Sequence, residues 1–343
     1  MHEISDFRSD KVARPTPGML EAMTHARWGN GIGEEGSSVH ELEKLACELT
    51  GKEASLFVIS GTMANELAVK AMTSPGDQII LDDQSHVFAV ESGYAATLSG
   101  VQTRALPAPD GMLDLAALDR TFAARFGRTS LVLTENTHNM LGGKVVPLDY
   151  MRELHALAHR HGAQVYLDGA RILNASAKTG VPVADYAACA DSLMFCLSKG
   201  LCAPAGSMLC GSADFVRRAA DFRKVFGGAL KQPGPLAECG IVALTEMVDR
   251  LVEDHSNGAR LAQGLCLLPE AAQHLEVETP ETNMVFFTLR HASPEIFQKG
   301  LAERKVLALH MGLGRFRFVT HHDVDAEDVG RAVAVIGEVL RGL

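Results

Sequence analysis

The chain has 343 residues, of which 47% are apolar and 22% charged, and its formal charge is −10. That balance suits a globular protein of about two domains, and the excess of acid excludes nucleic acid or an anionic membrane surface as the main partner. Seven cysteines with no C-x-x-C pair give neither a disulfide framework nor zinc-ligand spacing, and no metal is expected.

In chain order, the first fifteen residues (MHEISDFRSDKVARP) contain no apolar signal core, and no run of 18 apolar residues follows anywhere. A cytoplasmic protein is expected. Pro17–Trp28 reads as helical. Gly31-Ile-Gly33-Glu-Glu-Gly36 then matches G-x-G-x-x-G. It follows no strand, and two glutamates in the loop would repel a pyrophosphate, so dinucleotide binding is not expected.

Short apolar runs then alternate with helical patterns. Strands are predicted at Ser55–Ser60, Gln78–Asp82, Gln102–Leu106, Ser130–Glu135, Gln164–Asp168, Ser192–Leu197 and Ser207–Gly211. Helices are predicted at Val39–Leu49, Thr62–Met72, Ser85–Thr97, Leu113–Ala124 and Leu148–His161. Continuous apolar strands separated by helices specify an α/β unit with a mostly parallel sheet covered on both faces, and its ligand crevice lies at the strands' carboxyl ends. After Gly234 a long helical stretch (Leu236–Leu251, then Ala259–Leu267) leads to strands at Met284–Leu289, Val306–His310 and Arg315–Thr320 and a last helix at Ala326–Leu340. The expected division is an N-terminal arm and large domain over 1–250 and a smaller α+β domain over 251–343.

Four signals fall at strand ends. Lys199 follows the apolar run LMFCLS, where desolvation would free a neutral amine for Schiff-base chemistry; an ammonium reaching solvent at the strand tip explains it equally well. Ser60-Gly61-Thr62 opens a helix, a place where backbone N–H groups and the helix dipole favour a phosphate. Asp168 ends its strand, where a carboxylate can keep a pyridinium nitrogen protonated. His86 follows its strand and could stack on a flat ring or move a proton. Each has an ordinary structural explanation, but together they fit pyridoxal 5'-phosphate.

At these residues the chain resembles the L-threonine aldolases, which belong to the fold type I (aspartate aminotransferase-like) pyridoxal-phosphate enzymes. The resemblance rests on Asp6-Phe-Arg-Ser-Asp10, Ser60-Gly-Thr-Met-Ala-Asn65, Ser85-His86, Glu135-Asn-Thr-His-Asn139, Leu167-Asp-Gly-Ala-Arg171, Leu197-Ser-Lys-Gly-Leu201 and Phe318-Val-Thr-His321. It implies cleavage of β-hydroxy-α-amino acids to glycine and an aldehyde. Lys199 would be the Schiff-base lysine, Asp168 the pyridinium partner, His86 the stacking histidine, and Ser60, Gly61 and Thr62 the phosphate loop. Arg171 and Arg317 would hold the substrate carboxylate, with Ser9 at the entrance and Lys224 as a basic residue of the pocket. The resemblance also implies a homotetramer built from dimers, with active sites at the dimer interface. His86, or a water it orders, is the expected base. Where relatives have Asp-Thr-Val-Thr this chain has Asp10-Lys-Val-Ala13, and the histidine that some carry before the strand leading to Glu135 is absent from Ala124-Arg-Phe-Gly127. The alternatives are a β-eliminating lyase, an aldolase for a bulkier or acidic β-substituent, which Lys11 would suit, and a non-catalytic cofactor carrier, which would have no use for the carboxylate arginines.

Overall fold

A computed structural model describes residues 4–29, 34–124 and 127–343. The first glycines of the G-x-G-x-x-G match, and Arg125 and Phe126, lie outside the described residues. In chain order the strands are β1 (Ser5–Asp6), β2 (Ala54–Val58), β3 (Gln78–Asp82), β4 (Gln102–Leu106), β5 (Thr129–Glu135), β6 (Gln164–Asp168), β7 (Ser192–Cys196), β8 (Ser207–Gly211), β9 (Leu275–Val277), β10 (Met284–Leu289), β11 (Val306–Leu307), β12 (Leu309–His310) and β13 (Arg315–Val319).

The large sheet has the order β2-β8-β7-β6-β5-β3-β4. Every neighbouring pair is parallel except those made by β8, which runs against both β2 and β7. The continuous apolar runs are explained by burial on both faces. Along β7, Leu193 and Phe195 join one core while Met194 and Cys196 join the other, as the two-residue period of a strand requires. Helix Leu148–Arg160 covers the first face through Leu154, Leu157 and Ala158. Helices Gly61–Met72 and Ala213–Val225 cover the second through Leu67, Ala68, Phe215 and Ala219. Lys199 lies three residues past the end of β7, so the buried strand itself holds no ammonium.

A second, antiparallel sheet (β12-β13-β10-β9) packs under helices Leu251–Cys266 and Ala326–Arg341. Its core is aromatic: the Phe287 and Phe316 rings stack with centroids 5.6 Å apart. Phe7 of the N-terminal arm enters this core, 5.5 Å from Phe318. The arm is held by the parallel pairing of β1 with β11 and by Val319 N–H donating to the Phe7 carbonyl at 2.8 Å.

Four expectations are corrected. Ser85–Thr97 is two short helices, His86–Ala89 and Tyr94–Ser99, because Ser92 and Gly93 have φ of 45° and 88°, outside the helical region. Val306–His310 is two strands that pair in different sheets, with β1 and with β13. The stretch from Leu236 is divided into Gly234–Glu246 and Leu251–Cys266. The first helix stops at Thr24, short of Trp28. Among the described residues no helix is long and apolar enough to cross a membrane.

Candidate active site

The carboxyl ends of β2, β3, β5, β6 and β7 converge on a cavity of about 190 Å³. Ser60, Gly61 and Thr62 form one wall of it. They are the N-cap and first two residues of helix Gly61–Met72, and Ser60 Oγ accepts the Met63 N–H at 3.2 Å. The first N–H groups of any helix lack an intrahelical acceptor, so this wall presents donors of the kind that favour an anion. A Cβ on Gly61 would come within 2.8 Å of Met194 Cε and 2.9 Å of Cys196 Sγ, which explains the glycine by close packing on β7.

Asp168 and Lys199 face the same cavity. Asp168, 4% exposed, accepts from Asn65 Nδ2 at 2.9 Å and from the Ala170 N–H at 3.1 Å. Lys199 is half-buried, and among the described residues its ammonium has no hydrogen-bond or ion-pair partner. His86 lies on the cavity wall with its backbone N–H on Glu135 Oε2 (2.6 Å) and its ring Nδ1 on Glu91 Oε1 (2.9 Å). Burial alone would lower its pKa; the hydrogen bond to Glu91 and the charges of Asp168, Glu91 and Glu135 outweigh that and raise it.

Arg171 also lines the cavity and is clamped by Asp10 through Nε–Oδ2 at 2.6 Å and Nη2–Oδ1 at 2.7 Å. Burial opposes ionisation of Asp10, yet the guanidinium holds its carboxyl well below the usual range. Arg317, on β13, meets Arg171 through one amide: Asn139 Oδ1 accepts from Arg317 Nη1 at 3.1 Å and from Arg171 Nη1 at 3.3 Å. Arg317 Nε is buried without a partner. Burial, and then the charge of Arg171, push the Arg317 pKa down to about 10.

Ser9 is buried beside this pair, where its hydroxyl accepts the Lys11 N–H at 3.3 Å and donates to Asp10 at 3.3 Å. Lys11 reaches the cavity from its rim. Partial burial, then the charges of Lys199, Arg171 and Arg317, lower its pKa. Lys224 is not brought to the cavity; it is exposed on helix Ala213–Val225 and pairs with Asp221 at 3.5 Å.

The sequence reading did not single out Asn65, Glu91, Glu135, Asn139 or Asp10 as individual site residues. Asn65 carried a signal: it lies four residues after Gly61, on the same helical face as the putting-down point of the helix. The expectation that the histidines form no H-x-x-x-H set is corrected: His155-Ala-Leu-Ala-His159 is one, and it lies with Asp191 at the opposite end of the sheet, their ligand atoms within 4.8 Å of one another. Asp191 is already held by the Val165 N–H at 2.7 Å and by His159 Nε2 at 2.9 Å, and the Lys52 charge acts on it, so the cluster serves as a tie between helix and strand.

A profile described as beta-eliminating lyase matches residues 6–292. The chain belongs to the beta-eliminating lyase family. The chain is 37% identical over 333 residues to the low specificity L-threonine aldolase of Escherichia coli K12, covering 96% of this chain and 97% of that one. It is 36% identical over 334 residues to low-specificity L-threonine aldolase 1 of Arabidopsis thaliana, covering 94% and 93%. The fold matches that of Leishmania major threonine aldolase with a TM-score of 0.84 at 19% identity, over 98% of this chain and 99% of that one. The family's matched span includes all of the cavity-lining residues named above; Arg317, which meets the cavity residue Asn139 from β13, lies beyond residue 292.

Proposed function

We propose that the cavity holds pyridoxal 5'-phosphate and that the protein cleaves β-hydroxy-α-amino acids of the threonine type to glycine and an aldehyde. The observation that carries this reading is the Arg317 guanidinium: buried, with an unpartnered Nε, and joined by one amide to Arg171, which lines the cavity together with Lys199 and Asp168. Arg171 already has Asp10 as its counter-ion, so Arg317 is the arginine with charge to spare for a substrate carboxylate.

The residues present fit the cofactor. Ser60, Gly61 and Thr62 would receive its phosphate at the helix N-terminus, Asp168 would hold the proton on its ring nitrogen, His86 would supply the flat ring beside it, and Lys199 would offer the amine for its aldehyde, since all of them line the one cavity. When bound, the cofactor supplies the electron sink for the bond broken at the substrate's α-carbon. The chain does the rest. Arg171 and Arg317 fix the carboxylate end and so orient the bond to be broken. Glu91 accepts the Nδ1–H of His86, leaving the other ring nitrogen, or a water on it, to exchange a proton with the β-hydroxyl. Ser9 braces the Asp10 turn at the entrance. Lys224 joins the pocket only across a subunit boundary, in keeping with a homotetramer of dimers. A cytoplasmic location belongs to the same reading.

β-Elimination is the second reading, favoured by the family's own description. A panel of L-threonine, L-allo-threonine, phenylserine and β-hydroxyaspartate, supplied to the cofactor-loaded protein, separates the two. Glycine plus aldehyde is the expected result. A keto acid plus ammonia supports elimination, and no turnover together with no change of the visible spectrum on adding glycine overturns both.

A further inference from the structure

Behind the cavity wall lies a buried polar chain in which the proposed chemistry gives no role to Glu66, Asn65 or Tyr166. Glu66 and Glu91 are each 2% exposed. Glu91 Oε1 accepts from Asn65 Nδ2 at 2.9 Å and faces His86 Nδ1 at 2.9 Å. The same Asn65 nitrogen donates to Asp168 Oδ2 at 2.9 Å, and Asn65 Oδ1 accepts from the Tyr166 hydroxyl at 2.8 Å. With both kinds of partner in place the amide has one satisfied orientation. Asn65 therefore ties Glu91 to Asp168.

Glu91 Oε2 and both Glu66 oxygens are buried with no donor from any other residue. The Glu66 carboxyl instead meets that of Glu91. Two buried carboxylates in contact repel, and a single proton between them supplies the missing donor. Burial first, and then the Glu91 charge, push Glu66 up to about 8. The other titratable groups around the pair are His86, Tyr166 and Asp168 on β6, Glu135 on β5 and Cys196 on β7.

We propose that Glu66 and Glu91 hold one proton between them and act as a positioning pair, fixing the charge and tautomer of His86 directly and bracing the Asp168 side chain through Asn65. With one proton shared, the pair's single negative charge matches a protonated His86. Loss of that proton places a second negative charge behind His86 and keeps its imidazole protonated to higher pH. The Asp168 arm rests on the pyridoxal-phosphate reading of the pocket; the His86 arm does not.

The test uses the full chain with and without cofactor. In the cofactor-free protein, the ring ¹⁵N shifts of His86, assigned by difference from His86→Asn, are followed against pH. Glu91→Gln is expected to lower the His86 pKa by about one unit or more. Glu66→Gln, which keeps a neutral donor against Glu91, is expected to remove the further inflection near the Glu66 value of about 8. In the cofactor-loaded protein, the visible band is expected to lose the same inflection in Glu66→Gln. Should Glu91→Gln not fold, the nearly isosteric Glu66→Gln still decides the matter. A His86 titration unchanged in the variants that fold overturns the proposal whether or not cofactor binds. Shifted His86 titrations in a protein that takes up no cofactor support the His86 arm while overturning the reading of the pocket.

Discussion

Arg317 and Asp10 show how charge is divided at the candidate site. Asp10 neutralises Arg171 in a buried two-point clamp, while among the described residues Arg317 bonds only neutral acceptors, Asn139 and the Arg8 carbonyl. Arg317→Ala is therefore expected to raise KM for a β-hydroxy amino acid by about 10–100-fold, as loss of a charged hydrogen bond would, with little loss of stability. Asp10→Ala removes one partner of a buried pair and is expected to cost about 3–5 kcal/mol in urea unfolding. His86 sets the expected pH dependence. Its pKa is raised, so a role as base is served by an unprotonated fraction that grows as pH rises beyond the ordinary imidazole range, and kcat is expected to climb along that alkaline limb. A rate that falls there would remove His86 from the role. Lys199, Asp168, His86 and the Ser60 turn were legible because strand ends are visible in a sequence. Glu66 and Glu91 were not, because what makes them unusual is burial against each other across 24 intervening positions.

At the scale of elements, the strands of the large sheet were legible almost to the residue, since runs such as QIILD and QVYLD are buried on both faces and bounded by polar turns. What failed was non-local or conformational. The helical pattern of Ser85–Thr97 hides the left-handed step at Ser92 and Gly93, and that step is where the chain turns immediately after Glu91. Val306–His310 reads as one strand because nothing local says that β1 takes its first half and β13 its second. The helix that opens at Ser60 offers a direct test of the anion wall. Ser60→Ala is expected to cost about 1 kcal/mol of stability through the lost cap. Gly61→Ala, whose methyl would crowd Met194 and Cys196, is expected to displace the helix start and weaken cofactor uptake by more than Ser60→Ala does, as measured by equilibrium titration of the visible band.

The whole molecule is expected to register Glu66 in its pH–stability curve. A carboxyl whose folded pKa lies above its unfolded value contributes stability below the unfolded pKa, and that contribution is lost as pH rises through the folded value, here about 8. Glu66→Gln has no such loss, so its Tm relative to the parent is expected to rise between about pH 5 and about pH 9; a constant difference would mean that Glu66 is ionised throughout. The route of the N-terminal arm has a further consequence. The opening segment is not a dispensable handle. Trimming its first ten described residues would take a strand from β11, an aromatic ring from the far core and the carboxylate that balances Arg171, three losses in regions distant from one another in the sequence but adjacent in the folded chain.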